Sequence, residues 1–241
     1  MKLMSRWDTE VSRSVEDYLK AIYTLQESGG AVRTSTLAER MGVAAPSATS
    51  MIARLAAGGF LRHTPYRGVE LTEKGARIAL EIIRHHRLWE AFLHQALNVP
   101  IDQLNDEAER LEHVLSDELE AHIVRVLGDP SRDPHGDPIP SADGSVDSEV
   151  YPTIADLPEG ASATVRRVPS EDPALLRYLE TLGLLPGAAI FLRHREPFHG
   201  PITLTADGAE RVIGRELAGQ IFVDPEADPE RSQPELREGT H

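Results

Sequence analysis

Residues 34–71 read T-S-T-L-A-E-R-M-G-V-A-A-P-S-A-T-S-M-I-A-R-L-A-A-G-G-F-L-R-H-T-P-Y-R-G-V-E-L. Within them Thr36-Leu37-Ala38-Glu39 has the form of a capping box and predicts a short helix that stops near Gly42. Pro46 suits the first turn of the next helix, where its missing N–H is not needed, and Gly58-Gly59 ends it. Phe60-Leu61 and Val69-Glu70-Leu71 flank His63-Thr64-Pro65-Tyr66-Arg67-Gly68 and read as a small hairpin. Upstream, Ser14-Val15-Glu16-Asp17 is a capping-box-like start for a helix with Val15, Leu19, Ile22 and Leu25 at helical spacing, ended by Gly29-Gly30. Helix, short helix, tight turn, helix and two-stranded wing is the order of a winged helix-turn-helix.

On the third of these helices Ala48, Ile52 and Leu55 form one stripe, expected in the core. Ser47, Ser50 and Arg54 recur at i, i+3 and i+7 on a different face. Small hydroxyls beside an arginine suit a helix lying in the major groove of DNA, where bulk prevents close approach. The wing offers Arg62, His63, Tyr66 and Arg67 to phosphates. With Arg33, Pro46 and Thr49 added, these residues are the expected DNA-contacting set. The bland alternative is a solvated helix face and an ordinary hairpin. The net charge of −14 opposes nucleic acid only if it is spread evenly, and it is not. Residues 1–75 hold ten Lys/Arg against eight Asp/Glu, a balance of +2, and 33–67 hold five Arg against one Glu. A basic module on an acidic body can still use its local field.

The rest of the composition works by exclusion. There are no cysteines, which removes disulfides, thiolate nucleophiles and zinc sites built on sulfur. Met1 to Glu10 has no apolar core of signal-peptide length, and no apolar run approaches the roughly 20 residues that span a bilayer. The expectation is a soluble, cytoplasmic protein with no membrane partner and no small-molecule substrate. A long helix is expected over 73–97 and another over 105–127. Residues 128–150, rich in Pro, Gly, Asp and Ser, read as a linker. From 152 to 223 short β-type runs surround one helical stretch near Pro173 to Leu182, as in a small barrel. The tail from Asp224 is acidic and reads as disordered.

Glu109-Arg110-Leu111-Glu112-His113 would put Glu109, Glu112 and His113 on one α-helical face, beside an apolar stripe of Leu111, Leu115 and Leu119. Left empty, two carboxylates and an imidazole so placed would repel and desolvate one another, and a divalent cation removes that cost. Removing Glu112 should on this reading leave the metal-free protein as stable or slightly more so. His86 and Glu90 make a second pair of ligand types at i, i+4. Each motif taken singly is also what a solvated helix surface looks like. An enzymatic rival fails. E-R-L-E-H is one residue short of H-x-x-E-H, no H-E-x-x-H occurs, and there is no G-x-S-x-G, phosphate-binding glycine loop or cysteine nucleophile.

At this point the chain resembles the diphtheria toxin repressor and manganese transport regulator family of metal-dependent repressors. The resemblance is carried by V-E-D-Y-L-K-A-I-Y at 15–23, L-T-E-K-G at 71–75 and H-R-L-W-E at 86–90. It continues in D-E-A-E-R-L-E-H-V-L-S-D-E-L at 106–119, D-P-H-G-D-P-I-P at 133–140, and 182–223, which look like the family's SH3-like, FeoA-type domain. It implies a mainly α chain with a small β domain. Residues 1–75 would be the winged helix-turn-helix, 76–128 a helical metal-binding and dimerisation domain, and 129–151 a linker. Residues 152–223 would be the SH3-like barrel and 224–241 an acidic tail.

By the same resemblance Asp17, Glu109, Glu112 and His113 form a primary metal site. His86, Glu90, Asn105 and Glu171 form an ancillary one. The iron-sensing branch has methionine and cysteine where this chain has Asp17 and Glu109, so the implied ion is Mn²⁺, with Fe²⁺ the alternative. Asn105 and Ala174 stand where the iron branch has histidine and glutamine. Lys20 replaces a glutamate that the manganese branch uses for a second ion, and could form an ion pair with a nearby carboxylate instead. The implied function is a metal-activated homodimer that binds a palindromic DNA operator and controls metal-ion homeostasis genes. Two other classes remain open: a metal-independent winged-helix regulator and a metal-binding scaffold.

Overall fold

The computed structural model describes residues 11–27, 29–147 and 149–226. These fall into two compact units. The first takes the described residues up to Leu97, with Asp106–Ser131 and Pro138–Asp147. The second takes Asn98–Asn105, Arg132–Asp137 and the described residues from 149 on.

The first unit opens with α1 (Arg13–Glu27), α2 (Thr34–Arg40), α3 (Ala45–Ala57) and the antiparallel pair β1 (Leu61–Thr64) and β2 (Gly68–Leu71). This is the expected winged helix-turn-helix. Two helix starts differ from the capping boxes. α1 begins at Arg13, where Ser12 O accepts from the N–H groups of Val15 and Glu16, so Ser14 lies inside the helix. α2 begins at Thr34, after Arg33, without a side-chain cap. α3 carries Pro46 in its first turn and stops at Gly58, as expected. Ala48, Ile52 and Leu55 join Leu19, Ile22, Leu37 and Val69 in one buried cluster, so the apolar stripe of α3 does face the core. Burying a side chain of this size contributes roughly 1.5–3 kcal/mol. The wing is pinned at Gly68. A Cβ there would stand 2.4 Å from the carbonyl oxygen of Val32, which bridges to Val69.

α4 (Glu73–Leu97) follows. Thr72 ties its start to the wing, its hydroxyl donating to the carbonyls of Gly59 and Phe60, and α1 packs along the helix. The single helix expected over 105–127 is observed in pieces. These are α5 (Leu104–Leu111), a 3-10 turn Glu112–Val114, and α6 (Asp117–Leu127). The break has two visible causes. Ser116 caps α6, accepting from the N–H of Leu119. Meanwhile the carbonyl of Glu112 is taken by the His85 ring, 3.2 Å away, in place of a helical partner. Leu115 is consequently buried, whereas Leu119 lies exposed.

Among the described residues, the stretch expected as a linker has no regular element, yet much of it is packed. Ile139 joins Leu88, Ala91, Leu115 and Ile123 in a core cluster of the first unit. The guanidinium groups of Arg84 and Arg87 hold the carbonyls of Pro140 and Pro138 at 2.6 Å.

The second unit contains β3 (Ser162–Arg167), α7 (Pro173–Leu182), β4 (Ala189–Arg195), β5 (Ile202–Ala206), β6 (Ala209–Ile213), α8 (Arg215–Ala218) and β7 (Phe222–Pro225). The strands form an antiparallel sheet in the order β6-β5-β4-β3-β7. Register shifts at Val165/Arg167 and Leu192/His194 are the irregularities that let such a sheet curl over its own core of Val165, Leu176, Leu192 and Leu204. α7 occupies the expected span, with Asp172 capping it. The last strand runs to Pro225, and the expected acidic tail beyond residue 226 lies outside the described residues.

Candidate metal centre and nucleic-acid interface

Three segments of the first unit converge: α1 with Glu16, Asp17 and Lys20, α4 with His85, His86 and Glu90, and the α5–3-10 segment with Glu109, Glu112 and His113. The 3-10 turn matters here. In a continuous helix Glu109, Glu112 and His113 would share one face. In the tighter turn they diverge around Glu112.

On one side Asp17, Glu112 and His113 place one ligand atom each within 4.8 Å of one another. His113 Nε2 lies 2.8 Å from Asp17 Oδ1 and 3.4 Å from Glu112 Oε1. Both carboxylate oxygens are buried acceptors to which no group is aligned to donate a hydrogen bond. The other ring nitrogen, Nδ1, sits 2.7 Å from Glu16 Oε2. Glu16 therefore orients the ring so that Nε2 faces the other two ligands, the arrangement by which a carboxylate behind a histidine sets its tautomer towards a metal. Sequence reasoning treated Glu16 only as part of a capping box. Its partner is 97 residues away, so local pattern carried no signal for it.

On the other side His86, Glu109 and Glu112 form a second such trio. His86 Nδ1 is 2.5 Å from Glu112 Oε2, and Nε2 is 3.3 Å from Glu90 Oε1. Lys20 Nζ sits 2.8 Å from Glu109 Oε2, 2.7 Å from Glu112 Oε2 and 3.2 Å from His86 Nδ1. The short contact of His86 Nδ1 to a carboxylate puts a proton on that nitrogen. Lysine and imidazole are therefore two donors meeting on one acceptor. The ion pair that the sequence left open to Lys20 is present. It overturns the expectation of uncompensated repulsion around Glu112, because that fully buried carboxylate is already paired.

The electrostatics follow from these contacts. Burial alone would lower both imidazoles. Hydrogen bonds to Glu112 and Glu90 outweigh it and raise His86 to about 9, and the adjacent carboxylates of Asp17, Glu16 and Glu112 raise His113 to about 9. Burial pushes Glu109 up, but the Lys20 ammonium prevails and holds its carboxyl below the usual range. Behind the centre, Arg84 and His85 clamp Glu120 at 2.6 and 3.1 Å, and His85 holds the Glu112 carbonyl. Of the expected ancillary ligands, His86 and Glu90 are neighbours, while Asn105 and Glu171 belong to the second unit.

The expected DNA-contacting residues Arg33, Pro46, Ser47, Thr49, Ser50, Arg54, Arg62, His63, Tyr66 and Arg67 are all exposed. Pro46, Ser47, Ser50, Met51 and Arg54 line a shallow depression along α3. The Thr49 hydroxyl donates back to the carbonyl of Ala45, so it is less available than the two serines. Tyr66 stands fully exposed at the wing tip with φ 64°.

A winged helix beside clustered carboxylate and imidazole ligands defines a class: a DNA-reading module built around a site fit for a divalent cation. The match to known proteins makes the class specific. Residues 10–69 match the iron-dependent repressor N-terminal DNA-binding domain, 72–141 the iron-dependent repressor metal-binding and dimerisation domain, and 153–225 the FeoA domain. A diphtheria toxin repressor of Corynebacterium diphtheriae is 38% identical over 221 residues, covering 88% of this chain and 96% of that protein. The iron-dependent repressor IdeR of Mycobacterium tuberculosis is 31% identical over 231 residues, covering 89% and 98%. A solved manganese-dependent transcriptional repressor in complex with manganese is 42% identical with a TM-score of 0.79, covering 87% of this chain and 99% of that one. The chain belongs to the diphtheria toxin repressor family of metal-dependent transcriptional repressors, DNA-binding proteins and not enzymes. Among the described residues no helix is long and apolar enough to cross a membrane.

Proposed function

We propose that this chain is a Mn²⁺-activated repressor that binds a palindromic operator as a homodimer in the cytoplasm and controls metal-ion homeostasis genes. The observation that carries the reading is the trio Asp17, Glu112 and His113, in which two buried carboxylate oxygens converge on an imidazole nitrogen without a hydrogen bond aligned on either oxygen. Such acceptors cost free energy unless a donor or a cation satisfies them, and a divalent ion would satisfy both oxygens at once. The available donor atoms are oxygen and imidazole nitrogen, with no sulfur from cysteine anywhere in the chain. That set favours a hard ion such as Mn²⁺, while Fe²⁺, which names several relatives, is the competitor. The manganese complex among its structural neighbours supports the same ion.

Asp17, Glu112 and His113 would hold the ion, while Glu109, expected as a fourth ligand, groups with His86 and Glu112. When bound, the ion would supply a positive charge that neutralises these ligands in place of the proton on His113. Asp17 rides on the helix that carries the DNA-reading fold, and Glu112 and His113 ride on the turn before α6. Holding the three together fixes α1, and with it α3, relative to the helical body. Leu119 and Val126, seven residues apart on α6, are exposed apolar side chains, as is Val114. They are suited to a partner copy, whose two-fold symmetry a palindromic operator would mirror. The test is fluorescence anisotropy of a duplex selected from random sequence by the Mn²⁺-loaded protein, titrated anaerobically with Mn²⁺, with Fe²⁺ and with chelator. Tight binding with Mn²⁺, weaker response to Fe²⁺ and loss with chelator are expected. A larger response to Fe²⁺ would reassign the metal, and equal binding under chelation would remove the metal from the function.

A further inference from the structure

Glu112 has its two oxygens in two different sets of ligand atoms. Oε1 lies towards Asp17 and His113, and Oε2 towards His86 and Glu109. By composition either set could take a divalent ion, with Glu112 bridging the pair. The two halves are not equally open. Lys20 Nζ is within 3.2 Å of a ligand atom on every member of the second set, and its three polar contacts are all to that set.

We propose that Lys20 is the resident cation of the His86–Glu109–Glu112 half, so that the centre takes a single divalent ion, on the Asp17–Glu112–His113 half. This rests on the reading of the centre as a metal site and adds its stoichiometry and the residue that sets it. The first argument is steric. Transition metals sit roughly 2.0–2.2 Å from oxygen and nitrogen ligands, so an ion bound by those three side chains would have to occupy the point where the ammonium now lies. The second is electrostatic. Two carboxylates of this half already face an ammonium and an imidazole held between Glu112 and Glu90. A divalent ion there would meet a like charge at contact distance in a largely buried place. On the other half Asp17 and Glu112 Oε1 face the His113 imidazole, and among the described residues no ammonium or guanidinium is paired with either oxygen. The third is hydrogen bonding. The oxygens facing Lys20 accept from it, whereas Asp17 Oδ1 and Glu112 Oε1 are buried with no hydrogen bond aligned on them. Lys20 also follows Asp17 by three residues on α1, so one turn of helix delivers a metal ligand to one half and the substitute cation to the other.

Electron paramagnetic resonance of Mn²⁺ on the full chain, paired with elemental analysis after dialysis, tests this. Two Mn²⁺ ions bridged by Glu112 would be exchange-coupled, while a lone ion keeps an isolated-ion spectrum. Wild type at saturation should give only isolated ions, whatever its count of ions elsewhere. Lys20→Glu should bind one more Mn²⁺ per chain than wild type and show a coupled pair. Lys20→Gln, which keeps the size and offers a neutral amide oxygen, should gain the same ion at lower affinity. A coupled pair in wild type overturns the assignment while leaving the metal reading intact, and needs no variant to fold. Variants with native circular dichroism and no added ion overturn it too. Failure of wild type to bind Mn²⁺ at all would defeat the metal reading and this inference with it.

Discussion

Replacing Glu112 by alanine should destabilise the metal-free protein, opposite in sign to the expectation drawn from clustered like charges. Its side chain is fully buried and faces Lys20 at 2.7 Å and His86 at 2.5 Å. Removal leaves Lys20 with Glu109, which is half exposed, and His86 with Glu90. Breaking a buried pair by deleting one partner costs about 3–5 kcal/mol. Protonation gives an independent figure. His86, raised from 6.5 to about 9, corresponds to about 3 kcal/mol of coupling when fully expressed. Glu90 keeps part of that, so about 3 kcal/mol in total is expected at neutral pH. A group with a raised folded-state pKa contributes its stability in full below 6.5 and loses it as pH rises through about 9. The gap between wild type and variant should therefore be widest near pH 6 and narrow by pH 9.5. Urea unfolding of chelated protein, followed by far-ultraviolet circular dichroism, measures it. At a slope of roughly 1–3 kcal/mol/M the midpoint should fall by roughly 1–3 M at pH 6. A variant as stable as wild type at pH 6, or a deficit that does not shrink with pH, would refute the reasoning.

Mn²⁺ binding should tighten as pH rises towards about 9 and then level off, because His113 must lose its proton to become a ligand. Calorimetry in buffers of different ionisation enthalpy should detect proton release, and pH-independent affinity would contradict it. Glu16→Gln should weaken Mn²⁺ binding by about 10-fold or more without loss of helix content, since it orients His113 from behind; unchanged affinity would make Glu16 merely structural. Arg54→Ala and Arg67→Ala should weaken operator binding and each lower the salt slope by about one unit, with Mn²⁺ affinity unchanged; unaltered slopes in both would displace the groove assignment. The homodimer should survive chelation in sedimentation at micromolar concentration, and Leu119→Glu should split it. A monomer on chelation would mean that the metal also assembles the dimer.

What the sequence made legible was whatever rests on local pattern. α4 and α7 occupy their expected spans because charged or proline-bearing starts and long apolar periodicity agree there. α3 likewise shows its stripe and its stops in residues close together. The break at residues 112–116 was hidden by Leu111, Leu115 and Leu119, whose spacing continues the helical period through it. A side chain from another helix, His85, claims the backbone carbonyl of Glu112, and only Ser116-Asp117-Glu118 signals the restart. That break puts Glu109 and His113 on different sides of Glu112, a placement that helical spacing does not show. Glu16 and the pairing of Glu112 with His86 depend on contacts far apart in the chain, to which periodicity is blind. Residues 128–150 lack periodicity yet bury Ile139, because turn-rich sequence says that no regular element forms, not that nothing packs.

The most direct measurement is the operator affinity of wild type and Asp17→Ala, each in chelator and at a free Mn²⁺ concentration 100 times the wild-type dissociation constant. A ligand that binds one state alone supplies roughly 2.7 kcal/mol at that concentration, close to 100-fold in affinity. Wild type should gain about that factor, and Asp17→Ala, equally folded, should gain almost none. Equal gains in the two proteins would place the activating metal away from Asp17, Glu112 and His113.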